Sequence, residues 1–209
     1  MIQLENDLLI SASKDENIII WESTENIFKK LDCLQAHKGG VYSLCQLKDN
    51  KFVSGGADGN ITLWKNNDIN NKYFFFHTIN GAHKGKIRCL ILLKNNNLCS
   101  AGDDGYIKVW KENDNKYEIF WSVQIKNEMI SCLCELKNGF LLIGSNNPKN
   151  METANLRVWE ENKNVFEEKE IINKHYKRIK SIIELDWGNV ASAGEDGVII
   201  IWKSGVISD

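Results

Sequence analysis

The chain has 209 residues, with 26 basic and 28 acidic side chains and a formal net charge of −2. This length allows one ordinary domain with a sizeable core, and the near-zero charge argues against a general polyanion binder. A hydrophobic content of 43% excludes a disordered chain. The sequence contains no apolar run of eighteen residues that could span a membrane.

The chain start and the cysteines predict a protein of the cytoplasm or the nucleus. Residues 1–10 include Glu5 and Asp7 and no basic residue, which is unlike a signal peptide. The six cysteines form no Cys-x-x-Cys pair and lie mostly in apolar runs. We therefore expect buried, reduced cysteines and neither a disulfide framework, nor a metal site, nor a cofactor.

Short β-rich segments separated by turns fill the chain. Between Val41 and Lys65, strands are predicted at 41–47, 51–56 and 61–64, with the tight-turn pair Asp58-Gly59 before the third. The same spacing recurs at 87–110 and 179–202. A further apolar stretch precedes each unit as a predicted outer strand, at 28–34, 73–79, 117–125 and 165–172. No segment of ten residues or more has helical periodicity, so the sequence predicts an all-β fold.

Five of these segments align on a tryptophan and define a repeat. The tryptophans follow one another at intervals of 43, 46, 49 and 43 residues and are Trp21, Trp64, Trp110, Trp159 and Trp202. A period in the mid-forties is typical of the four-stranded antiparallel blade of a β-propeller. The sequence therefore predicts a single propeller domain, or part of one, with four full repeats at 22–64, 65–110, 111–159 and 160–202 and a partial repeat at 1–21.

Polar residues recur at fixed distances from three of the tryptophans. A His lies 21 residues before an Asp and 27 before the Trp, with a Ser between, in the sets His37, Ser54, Asp58, Trp64; His83, Ser100, Asp104, Trp110; and His175, Ser192, Asp196, Trp202. Through these recurring residues, nearly the whole chain resembles the WD-repeat family of β-propellers. The resemblance implies structural hydrogen-bonded tetrads rather than catalytic triads. Three copies and the absence of a G-x-S-x-G elbow also argue against a hydrolase.

The fourth repeat departs from the pattern. Lys126 occupies the His position, Ile143 occupies the Ser position, and about six extra residues within 146–154 replace the Asp-Gly turn. Because a half-satisfied polar network is costly, we expect the remaining polar groups to be lost there together. The insertion is either a partner-binding loop or a tolerated surface insertion.

Three interpretations of the chain ends remain open. The resembled propellers usually have seven blades, which would need about 300 residues at this period. In the first interpretation the chain is a piece of a longer protein. In the second it is a distorted five-bladed ring with residues 205–208 as the missing outer strand, and in the third it is an open arc. An open arc would be completed by a partner strand or by self-association, because it exposes strand edges and an apolar face.

The resemblance also implies that partner peptides dock on the rim formed by the loops before the first strands and by the Asp turns. The matching candidates for partner binding are Tyr42, Lys86, Arg88, Ser131, Arg178 and Lys180. Two of the chain's three arginines are among them, and a guanidinium suits carboxylates and phosphates. This predicts docking of an acidic or phosphorylated segment, with solvated loop charge as the alternative, since Asp103 and Glu195 offset part of the positive charge.

The features together predict a non-catalytic scaffold for protein–protein interaction. One alternative is the substrate-recognition subunit of a ubiquitin ligase, although no adaptor-binding segment is visible in the sequence. A propeller enzyme would need paired carboxylates at the channel, and the rim acids are not convincingly paired. The net charge argues against nucleic-acid binding.

Overall fold

The computed structural model describes residues 1–24, 27–67, 72–114, 116–150, 154–162 and 165–203. Five antiparallel sheets follow one another along this chain as the blades of a β-propeller, and the prediction of an all-β propeller is confirmed. The strands closest to the propeller axis are the first strands of each sheet, since those of successive sheets lie side by side.

Each sheet is a meander of consecutive strands. The first sheet contains β1 (Ile2–Gln3), β2 (Leu9–Ala12), β3 (Asn17–Thr24) and β4 (Ile27–Gln35). The second contains β5 (Val41–Gln46), β6 (Phe52–Gly56), β7 (Ile61–Asn67) and β8 (Lys72–Ile79). The third contains β9 (Ile87–Leu92), β10 (Leu98–Gly102), β11 (Tyr106–Asn113) and β12 (Lys116–Gln124). The fourth contains β13 (Met129–Glu135), β14 (Leu141–Asn146), β15 (Ala154–Asn162) and β16 (Val165–His175).

The fifth sheet has three strands within the described residues, β17 (Ile179–Glu184), β18 (Val190–Gly194) and β19 (Ile199–Trp202), and a short 3₁₀ turn at Asp186–Gly188 joins the first two. Residues 205–208, the predicted closing strand, lie outside the described part of the chain, as do residues 151–153 of the insertion. Within the described ranges, no helix is long and apolar enough to cross a membrane.

A repeat counted from one tryptophan to the next is not the same unit as a sheet. The strand that follows each tryptophan pairs with the tryptophan strand itself, as β8 does with β7 and β12 with β11. Each sequence repeat after the first therefore contains the outer strand of one sheet and three strands of the next. The covalent chain thus links every sheet to its neighbour.

The core lies between the sheets, and each junction has the same construction. The tryptophan side of one sheet, here called its tryptophan face, packs against the opposite side of the preceding sheet, here called the companion face. Between the second and third sheets, for example, Ile61 and Leu63 of the companion face pack in one cluster with Leu98 and Trp110. Alternation along a strand produces these two faces, because successive side chains point to opposite sides.

Candidate functional site

The three predicted sets of His, Ser, Asp and Trp each form one connected network. In the third sheet His83 Nδ1 lies 2.9 Å from Asp104 Oδ1, His83 Nε2 lies 2.7 Å from Ser100 Oγ, and Trp110 Nε1 donates to Ser100 Oγ at 2.8 Å. The sets of the second and fifth sheets repeat these contacts at 2.8–3.0 Å. The donors can be read in one direction, from the indole N–H to the serine, from the serine to the imidazole, and from the imidazole to the carboxylate.

Each network joins one sheet to the next. His83 follows the last strand of the second sheet, whereas its three partners belong to the third sheet. The aspartate also accepts main-chain N–H groups, from Lys84 at 2.9 Å and from Tyr106 at 3.1 Å. The network therefore fixes the segment that enters a sheet against the turn between its second and third strands.

Burial of the serines argues against a hydrolytic role. Ser54, Ser100 and Ser192 are 0% exposed, so a substrate has no access to their hydroxyl groups. Each hydroxyl also accepts the tryptophan N–H, which leaves it engaged on both sides. Such a geometry satisfies buried polar groups, and it lacks the exposed nucleophile that acyl transfer requires.

These networks predict a loss of stability in acid. Burial alone would raise the pKa of Asp196, but hydrogen bonds from His175 and from the main-chain N–H groups of Val198 and Tyr176 outweigh burial and lower the pKa to about 2. Because the unfolded chain then binds this proton more readily, the contribution is present above about pH 4 and is lost as the pH falls towards 2. The aspartates of the other two networks also have lowered pKa values.

The measurement is the free energy of unfolding by urea as a function of pH, for the wild type and for Asp196→Asn. We expect the variant to be less stable at neutral pH and to lose less stability on acidification than the wild type. An unchanged acid dependence would contradict the assignment of this contribution to Asp196.

The fourth sheet contains a different buried network in place of the tetrad. Ile143 does pair with Arg157, at the register of the serines in the other sheets. Yet polar groups are not absent, since Arg157, 8% exposed, donates to Glu128 Oε1 at 2.7 Å and to Glu168 Oε2 at 2.5 Å. Trp159 Nε1 donates to Glu168 Oε2 at 3.2 Å. An ion-paired network thus occupies the place of the tetrad, whose His and Ser positions here hold Lys126 and Ile143.

Two further side chains complete this network. Ser145 Oγ donates to Glu128 Oε2 at 2.5 Å and accepts from Arg157 Nε at 3.1 Å, while Asn155 Nδ2 donates to Glu128 Oε1 at 2.9 Å. Burial by itself would lower the pKa of Arg157, but the hydrogen bonds to Glu128 and Glu168 outweigh it and raise that pKa. The guanidinium is thus held charged between two carboxylates.

Four of the six predicted rim residues share a structural feature. In the second to fifth sheets, the first strand carries one extra residue near its start, where the register with the second strand shifts. These bulge residues are Tyr42, Arg88, Ser131 and Lys180. A β-bulge re-aims a side chain away from the regular alternation of the strand, and here it does so at the same rim position in four successive sheets.

Between the second and third sheets, the rim arginine is already paired. Arg88 makes a bidentate contact with Asp103, with Nε to Oδ1 at 2.7 Å and Nη2 to Oδ2 at 3.0 Å. The Arg88 guanidinium lies 5.1 Å from the ring centre of Tyr42, and Lys86 Nζ lies 5.0 Å from the same centre. Asp103 therefore satisfies the guanidinium fork that was predicted to receive a partner's carboxylate.

Ser131 does not offer its hydroxyl to a partner. Its Oγ lies 2.6 Å from the main-chain oxygen of Ile179 and 3.0 Å from that of Gly144. This contact ties the fourth sheet to the fifth. The residue sits at the predicted position, but its polar group serves packing between sheets.

A cleft of about 220 Å³ lies on the rim between the fourth and fifth sheets. This rim cleft is lined by Asn146, Lys177, Arg178 and Glu195. Glu195 Oε1 is shared loosely, at 3.8 Å from Arg178 Nη1 and 3.4 Å from Lys180 Nζ. Asn146 is 4% exposed, and its Oδ1 has no hydrogen-bond partner among the described residues. The cleft thus combines weakly paired cations with an unsatisfied amide oxygen.

Two segments of the chain match a known family model. Residues 28–65 and 75–111 match the family model "WD domain, G-beta repeat". These are the two segments that supply the second and third tryptophans with their networks. The chain folds as a β-propeller, and these two segments are similar to WD repeats.

Solved WD-repeat propellers share this architecture. The chain is similar to the WD40 β-propeller domain of Doa1, with a TM-score of 0.73 and 23% identity over 93% of this chain and 60% of that one. It is also similar to a chain of the mitotic checkpoint complex, with a TM-score of 0.78 and 19% identity over 97% of this chain and 62% of that one. At these identities the likeness shows the fold, and this chain spans less than two thirds of either neighbour.

One curated relative is the echinoderm microtubule-associated protein-like 2 of Rattus norvegicus. It is 36% identical over 62 residues, which are 29% of this chain and 9% of the relative. In the described part of the propeller, no group of three or more His, Cys, Asp or Glu side chains could hold a metal ion. The six cysteines are free thiols.

The network around Arg157 was not predicted from the sequence, although one signal for it was visible. Arg157 is one of only three arginines in a lysine-rich chain, and it stands two residues before Trp159. The glutamates that pair with it come from the segment before β13 and from the outer strand β16. The isolated arginine beside a repeat tryptophan pointed to a buried ion pair, but its partners depend on the strand register.

Proposed function

We propose that this propeller is a non-catalytic scaffold that binds an acidic or phosphorylated segment of another protein at the rim cleft. WD-repeat propellers in general bind other proteins, and the fold fits such a role. The observation that carries the proposal is the loose pairing of Arg178, whose nearest distance to Glu195 is 3.8 Å.

The contrast between two rim arginines gives the proposal its specificity. The Arg88 guanidinium donates to both carboxylate oxygens of Asp103, so a ligand must displace a bidentate partner to bind it. Arg178 has no such bidentate contact among the described residues, and Lys180 shares its carboxylate. A carboxylate or phosphate that enters the cleft can therefore form charge-assisted hydrogen bonds at lower cost with Arg178 than with Arg88.

The charge of the cleft fits an anion. Lys177, Arg178 and Lys180 outnumber the single carboxylate of Glu195, so the local field favours an anionic ligand. Asn146 Oδ1 is itself buried, so recognition in this proposal rests on the three cations.

The absence of catalysis is part of the proposal. It is supported by the full burial of the three network serines. A substrate-recognition subunit of a ubiquitin ligase would use the same cleft and would add a segment that binds the ligase. The free thiols support a location in the cytoplasm or the nucleus, where the environment keeps cysteines reduced.

The test is a binding titration with a library of acidic and phosphoserine peptides, for the wild type and for two arginine variants. We expect Arg178→Ala to weaken binding of the tightest peptide about tenfold or more, because a charge-assisted hydrogen bond contributes about 1.5–3 kcal/mol. The matched variant Arg88→Ala should weaken it less than about threefold. Equal losses in both variants, or no binding by any peptide, would contradict the proposal.

A further inference from the structure

The turn between the first and second strands has the same construction in all five sheets. These turns lie on the side of the propeller opposite to the rim, because each first strand begins at the rim and runs away from it. In each turn the main-chain N–H of a leucine donates to the carbonyl oxygen four residues later, at 2.7–2.9 Å. The second residue after the leucine is here called the tip, and the five tips are Asn6, Asp49, Asn95, Asn138 and Trp187. The fifth sheet thus has a tryptophan where the other four have asparagine or aspartate.

Asparagine and aspartate suit the tip for physical reasons. Their short side chains accept a main-chain N–H from two residues further on. Asn95 Oδ1 accepts from Asn97 at 3.0 Å, and Asn138 Oδ1 accepts from Phe140 at 3.2 Å. They also tolerate left-handed backbone, which Asp49 adopts with a φ of 58°. A tryptophan side chain offers no such acceptor and does not favour this backbone.

Trp187 nevertheless adopts the left-handed backbone, and it exposes nearly all of its surface. Its φ is 65°, which is a genuine outlier for a bulky residue. The residue is 91% exposed, more than any other large apolar residue in the described part of the chain. The indole therefore contributes little packing that could offset the unfavourable backbone and the apolar surface left in water.

The exposure is a property of the tip position. The tips of the second, third and fourth sheets are also exposed, although a further sheet follows each of them: Asp49, Asn95 and Asn138. Contacts between neighbouring turns involve the residue before the tip instead. The main-chain N–H of Lys94 donates to Glu135 of the next sheet, and that of Lys137 donates to Glu184. A tip is therefore exposed whether or not another sheet follows its own.

We propose that Trp187 is an anchor that inserts into an apolar pocket of a folded partner protein. A single indole on a turn is convex and cannot form a groove, so the partner supplies the concave surface. Tryptophan is enriched among the few residues that dominate the free energy of protein–protein binding. The strand β17, with six residues, separates Trp187 from the rim cleft by about 20 Å, so this is a second surface.

The charges beside the indole favour a protein over a membrane surface. Asp186 directly precedes Trp187 and is exposed, and Glu184 lies three residues before it. Lys137, whose main-chain N–H donates to Glu184, offsets one of these two charges. Anionic lipids would repel the remaining carboxylate, whereas basic residues at the border of a protein pocket would pair with it. The partner is therefore a protein whose apolar pocket has a basic border.

The first test is the urea midpoint of unfolding at neutral pH. Trp187→Asn should unfold at a higher urea concentration than the wild type, because asparagine tolerates the left-handed backbone and occupies this tip in other sheets. Phe75→Asn is the matched control, since Phe75 is 59% exposed on the extended strand β8, and it should give no such gain. A midpoint of Trp187→Asn at or below that of the wild type would overturn the claim that the indole lowers stability.

The second test is retention of proteins from a cell extract on the immobilised full chain, quantified by mass spectrometry. A protein retained by the wild type and by Phe75→Asn, but not by Trp187→Asn, is then purified and titrated. We expect Trp187→Asn to raise its dissociation constant about tenfold or more. Phe75→Asn and Arg178→Ala should change it less than about threefold, and the latter result separates this surface from the rim cleft.

Vesicles of phosphatidylcholine and phosphatidylserine test the alternative of a membrane surface. We expect the full chain not to sediment with them. Vesicle binding that Trp187→Asn abolishes would overturn the proposal in favour of a membrane. Equal dissociation constants for the wild type and Trp187→Asn, or no protein with the stated retention pattern, would also overturn it.

Discussion

Arg157→Met is expected to lower the free energy of unfolding by about 3 kcal/mol or more. The substitution removes the cation from a buried site and leaves Glu128 and Glu168 close to each other without it. It also leaves Ser145 with one hydrogen bond fewer. An uncompensated charge in a buried site costs more than the loss of the ion pair itself, and the Glu128 side chain, at 13% exposure, regains little hydration. Urea or thermal unfolding at neutral pH measures the change.

Two further variants separate the ion pair from general effects of the substitution. Arg178→Met makes the same chemical change at a loosely paired site of the rim, and we expect a loss below about 1 kcal/mol. The combined variant Glu128→Gln, Arg157→Met, Glu168→Gln should recover much of the stability lost by Arg157→Met alone, since it removes the unpaired charges. Equal losses for Arg157→Met and Arg178→Met would show that the buried network contributes little.

Ser100→Ala is expected to lower the free energy of unfolding by about 2–3 kcal/mol. The serine hydroxyl is the shared partner of His83 Nε2 and Trp110 Nε1, and both groups are buried. Without the hydroxyl, a buried donor and a buried acceptor lose their partner at the same time, and each pays a desolvation cost.

The control for this variant lies in the same sheet. Ser122 is exposed on β12, so Ser122→Ala should change the free energy of unfolding by less than about 0.5 kcal/mol. Similar stabilities of the two variants would indicate that the tetrad is not a stabilising network.

The propeller was predictable from the sequence because its evidence is repeated. A single His at one distance from a Trp carries little information, whereas identical distances in three repeats select one structure. In each tetrad the Ser, Asp and Trp lie close together in the sequence, and the His precedes them by a constant number of residues. Those distances are readable without knowledge of the strand register.

The network around Arg157 was not predictable in the same way. Trp159 bonds Glu168, which lies across a register shift between β15 and β16. A bulge of this kind displaces every later pairing by one residue, and no signal in the spacing announces it. The arginine itself was visible in the sequence, but its two carboxylate partners were not.

The sequence also could not distinguish the two rim arginines. Asp103 and Glu195 both stand directly before the aspartate of a tetrad, so the two sites look alike in the alignment. The structure separates them: Asp103 holds Arg88 with both oxygens, whereas Glu195 is divided between Arg178 and Lys180. This difference in pairing narrows the proposed anion site from a rim that includes both arginines to the part beside the fifth sheet.

Hydrogen–deuterium exchange with and without the tightest-binding peptide tests the central claim most directly, because it locates the binding site on the propeller. We expect the peptide to slow exchange in residues 176–180 and 194–196, which border the rim cleft, with little change in the outer strands β8 and β12. Protection confined to those outer strands, or no local protection at saturating peptide, would contradict a scaffold that binds its partner at the rim cleft.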